Sequence, residues 1–152
     1  MLYQGWEKLT FYSKGSLAAS TVKWTSHQTL LENSKSDVLL LLDCCQATGG
    51  GGNIEPGTSK EIIAACGFGS AAPGVGQHSF SRALIEELTA SHARPFSTEV
   101  LHLGILTRLR GRVPVQAEER ETPVRVLMGP GGLQQSQITI VSYEVWPRNL
   151  IA

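Results

Sequence analysis

Asp43, Cys44 and Cys45 stand together at the end of an unbroken apolar run, Val38-Leu-Leu-Leu-Leu42, and lead into a stretch of small residues. A cysteine in that setting suits a nucleophile: a rigid element holds it, and the loop beyond leaves its sulfur open to substrate. Cys66 closes the run Lys60-Glu-Ile-Ile-Ala-Ala-Cys66 and reads as a core thiol, as free cysteines usually are. Metal chemistry is not expected, because no Cys-x-x-Cys and no His/Cys pair at ligand spacing occurs. The tract Gly49-Gly-Gly-Gly52 is no phosphate cradle either. It runs into Asn53-Ile-Glu-Pro56 rather than a helix opened by Gly-Lys-Ser/Thr, so it reads as a flexible loop and a nucleotide-binding domain is unsupported.

The elements that must position these residues follow from pattern. Leu9-Thr-Phe-Tyr12 suits a short strand. Trp24 to Glu32 suits a helix, with Trp24, Gln28, Leu31 and His27, Leu30 at helical spacing. The run from Asp37 to Asp43 predicts a parallel strand buried on both faces, and Lys60 to Cys66 a second inner strand. Ser79 to Ala90 predicts a helix with Phe80, Ala83, Leu84 and Leu88 inside and Arg82, Glu86 and Glu87 outside. A further helix starts at Ser97 or Thr98, carries Glu99 in its first turn, and runs through Val100, Leu101 and Ile105 to Leu109. Arg108 and Arg110 suit its C-terminus and Gly111 its end. Val113 to Glu121 reads as a loop. Pro123 to Met128 and Gln137 to Val141 read as strands, with Gly129-Pro-Gly-Gly132 as the turn between them. Strands alternating with helices predict an α/β fold with a largely parallel sheet. Ligands bind outside the carboxyl ends of such strands, where Asp43-Cys44-Cys45 and the loop after Cys66 fall.

Composition narrows the class. A chain of 152 residues is a prior for one domain and long enough to bury a real core. Thirteen basic residues balance 13 acidic ones without a Lys/Arg cluster, so neither a nucleic-acid nor an acidic-membrane partner is expected. Val38 to Leu42 is far short of the roughly 20 apolar residues of a membrane span. The N-terminus has no basic and apolar leader pattern. Three cysteines, two of them adjacent, fit a reducing, cytoplasmic setting better than a disulfide framework.

Taken in order, these segments carry a family likeness. Asp37-Val-Leu-Leu-Leu-Leu-Asp-Cys-Cys-Gln-Ala47 resembles the strand and catalytic cysteine of the caspase/metacaspase superfamily of cysteine peptidases. It is most similar to the metacaspase-like domains of fungal proteins, where Asp-x-Cys follows an apolar strand. Trp24 to Glu32 matches the helix before that strand, Lys60 to Gly67 the next strand, and His78-Ser-Phe-Ser-Arg-Ala-Leu84 a following helix start. The likeness covers roughly residues 8–141, leaving 142–152 as a C-terminal tail. It implies a caspase-like three-layer α/β/α domain with a mainly parallel sheet, truncated at its N-terminus. It also implies a cysteine endopeptidase acting on polypeptides by acyl transfer, without cofactor or metal. Cys45 would be the nucleophile and Cys44 a packing residue. Asp43 would be a buried carboxylate favouring Arg or Lys before the scissile bond, with Gly67, Phe68 and Gly69 lining the cleft. The family's self-cleavage region corresponds to the glycine-rich loop, where Lys60 is the basic residue to test.

The likeness departs from the family in one respect that matters. The dyad histidine of the family sits in a His-Gly pair, about 50 residues upstream of the cysteine in caspases. None of His27, His78, His92 and His102 precedes a glycine, and that glycine's N–H would have been an oxyanion donor. His78, at the start of a helix, is a better substitute than His27, which suits a helix surface. Without a base, a thiol of pKa about 8.5 is only a few per cent thiolate at pH 7. The expectation is an incomplete domain, inactive and poorly soluble alone, with Val38 to Leu42 as an exposed sheet edge. The alternative is a non-catalytic interaction or regulatory paralogue, pairing through that edge with itself or with a full-length relative.

Overall fold

The strand Lys60–Ala64 lies at the centre of the molecule because both its faces are apolar or paired, and every one of its residues is buried. The computed structural model describes residues 10–11, 22–23, 27, 29–31, 33–43, 54, 56–67, 76, 78–111, 122–128 and 137–142. In chain order the elements are β1 (Thr10–Phe11), β2 (Val22–Lys23), β3 (Val38–Leu42), β4 (Lys60–Ala64), α1 (Phe80–Ser91), β5 (Phe96–Ser97), α2 (Thr98–Arg110), β6 (Val124–Met128) and β7 (Thr139–Ile140). The fold is therefore mixed α/β, with a three-stranded sheet ordered β3-β4-β6 and two small two-stranded sheets, β1-β2 and β5-β7.

Strand β3 runs parallel to β4, Val38 opposite Lys60 and Leu42 opposite Ala64, while β6 runs antiparallel, with Lys60 opposite Met128. The largely parallel sheet expected from the sequence is thus a mixed one. Side chains alternate across it with period two. Ile63 and Ala65 meet Phe80 and Ala83 of α1 and Leu101 and Ile105 of α2 on one face. Ile62, Ala64 and Met128 pack with Leu40, Leu42, Ile54, Val124 and Val126 on the other.

Strand β3 is half-buried rather than covered on both faces, and Leu41 is 40% exposed. Among the described residues it is an edge of its sheet, which agrees with the exposed edge expected for an incomplete domain and not with a strand buried on both faces.

Helix caps match their sequence signals. Ser79 Oγ accepts from the Arg82 N–H, and Ser97 Oγ from the Val100 N–H, each satisfying a donor the helix leaves free. Gly111 closes α2 with ordinary right-handed backbone, its N–H donating to Thr107 O at 3.0 Å.

Glu87, expected on the outer face of α1, instead lies between the helices. Its side chain is 14% exposed, with Arg108 Nε at 2.6 Å. Gly104 makes room for it: a Cβ there would fall 2.2 Å from Glu87 Cδ. In α2 Leu101 and Ile105 are buried together with Thr98, while Val100 is exposed. Leu30 is also exposed, on a helical stretch described at His27 and Thr29–Leu31.

The two C-terminal strands do not pair with each other. β6 completes the main sheet, and β7 pairs with β5 just before α2, Phe96 opposite Ile140. The loops at 49–52 and 113–121 and the turn at 129–132 lie outside the described residues. No helix among the described residues is long and apolar enough to cross a membrane.

Candidate functional site

The carboxyl ends of β3 and β4 and the start of α1 converge, and the parallel register is what brings them together. The Ala65 N–H donates to Leu42 O at 2.9 Å, so the chain leaves both strands at the same level. From β3 comes Asp43, from β4 come Cys66 and Gly67, and before α1 come His78 and Ser79. Ser81, in the first turn of α1, donates its hydroxyl to Asp43 Oδ2. The carboxylate is thereby held near a helix N-terminus, where the peptide dipoles favour negative charge.

Asp43 is exposed, whereas the family likeness implied a buried carboxylate. Water screens it, so a basic side chain bound there gains only a surface ion pair, about 0.2–1 kcal/mol. Gly67 is half-buried, and a Cβ on it would meet Val124 Cγ1 at an ordinary 3.7 Å. Cys66 is fully buried, as its sequence position suggested. Cys44, Cys45 and Phe68 lie outside the described residues, as does Gly69. His78 is half-buried at this edge, whereas His27 is exposed on its helical stretch. His102 is committed elsewhere, its Nε2–H donating to Pro123 O at 3.0 Å.

No family model, curated protein or solved structure matches this chain.

Lys60 cannot be the cleavable basic residue of a loop. It begins β4, is 1% exposed, and its Nζ donates to Ser34 O at 2.8 Å and to Ser36 O. Its ammonium satisfies carbonyls at the end of the helical stretch, which explains how a lysine is buried.

Sequence reading also missed the most connected side chain among the described residues. Glu61, fully buried, accepts from Thr98 Oγ1 at 2.6 Å, Arg125 Nε at 2.7 Å and the Ile138 N–H at 2.9 Å. This carboxylate ties β4 to β6, the start of α2 and the approach to β7. It lies five residues before Cys66, roughly 16 Å along an extended chain, and so belongs to the opposite end of the sheet. Its role is to join elements, not to meet a ligand at the carboxyl edge. Among the described residues no three His, Cys, Asp or Glu side chains group as metal ligands.

Proposed function

We propose that the chain is a caspase-like cysteine endopeptidase domain whose nucleophile is Cys45 and whose substrate pocket for a basic side chain is built on Asp43. The observation that carries this reading is the Ser81–Asp43 hydrogen bond, which fixes a carboxylate at the carboxyl edge of the sheet. Cys45 follows Asp43 by two residues, so covalent geometry alone keeps their Cα atoms within about 7 Å. The acyl-transfer step would form a bond from Cys45 Sγ to the substrate carbonyl carbon, with the Cys45 N–H facing the oxyanion. The carbonyl–nitrogen bond breaks as the leaving amine takes the proton that the thiol gives up, passed through water because the sequence has no His-Gly pair to carry it. Slow, stoichiometric acylation is therefore the activity to look for in this chain, rather than turnover.

A caspase-like three-layer arrangement is part of the same reading. Helices α1 and α2 cover one face of the sheet. Leu31, from the helical stretch, lines a small cavity with Val38, Leu40, Lys60 and Met128, which supports a helical layer on the other.

The test is competition between two peptidyl ketones, one ending in Arg and one in Asp, for the folded chain. An Arg preference of about twofold to fivefold, matching a surface ion pair and lost in Asp43→Asn, supports the reading. Equal labelling, or a preference for Asp, overturns it. A second reading, a non-catalytic interaction domain, is favoured by the edge position of β3 in its sheet. It predicts no labelling of Cys45 at all.

A further inference from the structure

Among the described residues, strand β3 is hydrogen-bonded along one side only. The Val38 N–H donates to Ser59 O at 2.9 Å, and Leu42 O accepts from the Ala65 N–H at 2.9 Å, so residues 38 and 42 turn their backbones toward β4. By the two-residue alternation of a strand, Leu40 does the same, while Leu39 and Leu41 turn their N–H and C=O groups away from β4. No partner for those four groups is present among the described residues.

The side chains beside this edge are apolar. Leu41 is 40% exposed, and it shares a sheet face with Leu39, which packs on the core under α1 and α2. Ile85, 62% exposed, lies one turn along α1 from Ser81, the residue that reaches Asp43, and so faces the same side. An exposed Asp stands at each end of the strand: Asp37 before it, whose Oδ1 accepts from the Ser59 N–H at 2.7 Å, and Asp43 after it, whose Oδ2 accepts from Ser81, so each offers its other carboxylate oxygen to a partner.

We propose that the β3 edge binds an extended segment of another protein by strand addition, and that this segment is apolar at alternate positions with a Lys or Arg at each end. Charge selects the occupant. In an antiparallel complex centred on Leu40, one end residue of the incoming strand meets Asp37 and the other meets Asp43, with five residues between the two on either chain. A second copy of β3 is disfavoured. Antiparallel, its Asp43 would face Asp37; parallel, each acid would face its own counterpart, and like charges opposite each other destabilise a strand pair. Main-chain hydrogen bonds to Leu39 and Leu41 would give the affinity, and Leu41 and Ile85 the contact for alternate side chains.

The probe is a seven-residue peptide, Lys-Thr-Val-Thr-Val-Thr-Lys, whose two valines fall opposite Leu41 and Leu39, titrated into the folded 152-residue chain while backbone amides are followed by NMR. A peptide with Glu at both ends is the control. The expected result is at least tenfold tighter binding of the Lys-ended peptide, with slowed hydrogen exchange at the Leu39 and Leu41 amides. Leu41→Pro, which removes an outward N–H without touching the ladder to β4, should weaken binding at least tenfold. Equal binding of the two peptides, no binding, or shifts confined to another surface would overturn the proposal. Protection of Leu39 and Leu41 that rises with protein concentration and without peptide would overturn it in favour of a second copy.

Discussion

Ser81 gives its hydroxyl proton to the carboxylate of Asp43, joining the first turn of α1 to the end of β3 across 38 residues of sequence. That bond is the only described link fixing the direction of the Asp43 side chain, and it leaves one carboxylate oxygen for a ligand. The sequence reading identified Asp43 as a pocket acid but assigned Ser81 no part in holding it. The signal was there: a hydroxyl residue in the first turn of a helix that starts at the same sheet edge.

Removing that hydroxyl should loosen the acid without unfolding the chain, since Ser81 is not in the apolar core. Ser81→Ala is expected to lower the Arg-over-Asp labelling preference about twofold while leaving the urea midpoint nearly unchanged. Competition labelling and urea denaturation check the two halves separately.

Glu61 should matter for stability far more than any residue of the site. Glu61→Ala strands the Thr98 hydroxyl, the Ile138 N–H and the Arg125 guanidinium, whose side chain is only 17% exposed. Breaking one partner out of such a buried pair costs about 3–5 kcal/mol. Urea unfolding of the variant measures it, and a loss below about 1 kcal/mol would contradict the assigned network.

Gly104 and Glu87 should be coupled. Gly104→Ala places a methyl where Glu87 lies over α2, and overpacking of this kind costs about 1–3 kcal/mol. Glu87 is held by Arg108, so it yields only by giving up that ion pair. In a Glu87→Ala background the added methyl should cost much less, and the double-mutant cycle reads the difference.

Lys60 should resist trypsin in the native chain. Lys35 is exposed on a bend, whereas Lys60 is buried in the central strand. Brief digestion under native conditions is expected to cut after Lys35 before any product appears at Lys60. Early cleavage at Lys60 would mean that β4 is not the core strand.

The elements that sequence pattern made legible are those whose own residues carry the signal. β4 and α1 show continuous or helically spaced apolar residues, and both form where that pattern lies. What the pattern hid depends on partners far along the chain. Glu61 looked like one polar residue in a strand, because its ligands come from positions 98, 125 and 138. Glu87 looked external because a helical wheel of α1 takes no account of α2. The pairing of β7 with β5 rests on two residues a side, too few to show a period, and the glycine-rich turn at 129–132 suggested a hairpin with β6 instead. The apolar run of β3 read as an inner strand, since four leucines in a row look alike at an edge and at a centre, and only the missing upstream strand of the family likeness pointed to an edge. Asp43 was legible as a strand-end acid, but its exposure was not, since that depends on what covers the edge.

The central claim, a nucleophile beside a carboxylate that receives a basic side chain, is tested most directly by labelling the 152-residue chain with an Arg-ended peptidyl chloromethyl ketone under reducing conditions. Mass spectrometry locates the modified residue, with Cys45→Ala and urea-denatured protein as controls. The predicted result is one label on Cys45, formed faster in the folded chain than in the denatured one, because binding through Asp43 brings the electrophile to the thiol. Labelling at the denatured rate, or on Cys44 or Cys66 in equal measure, would contradict it.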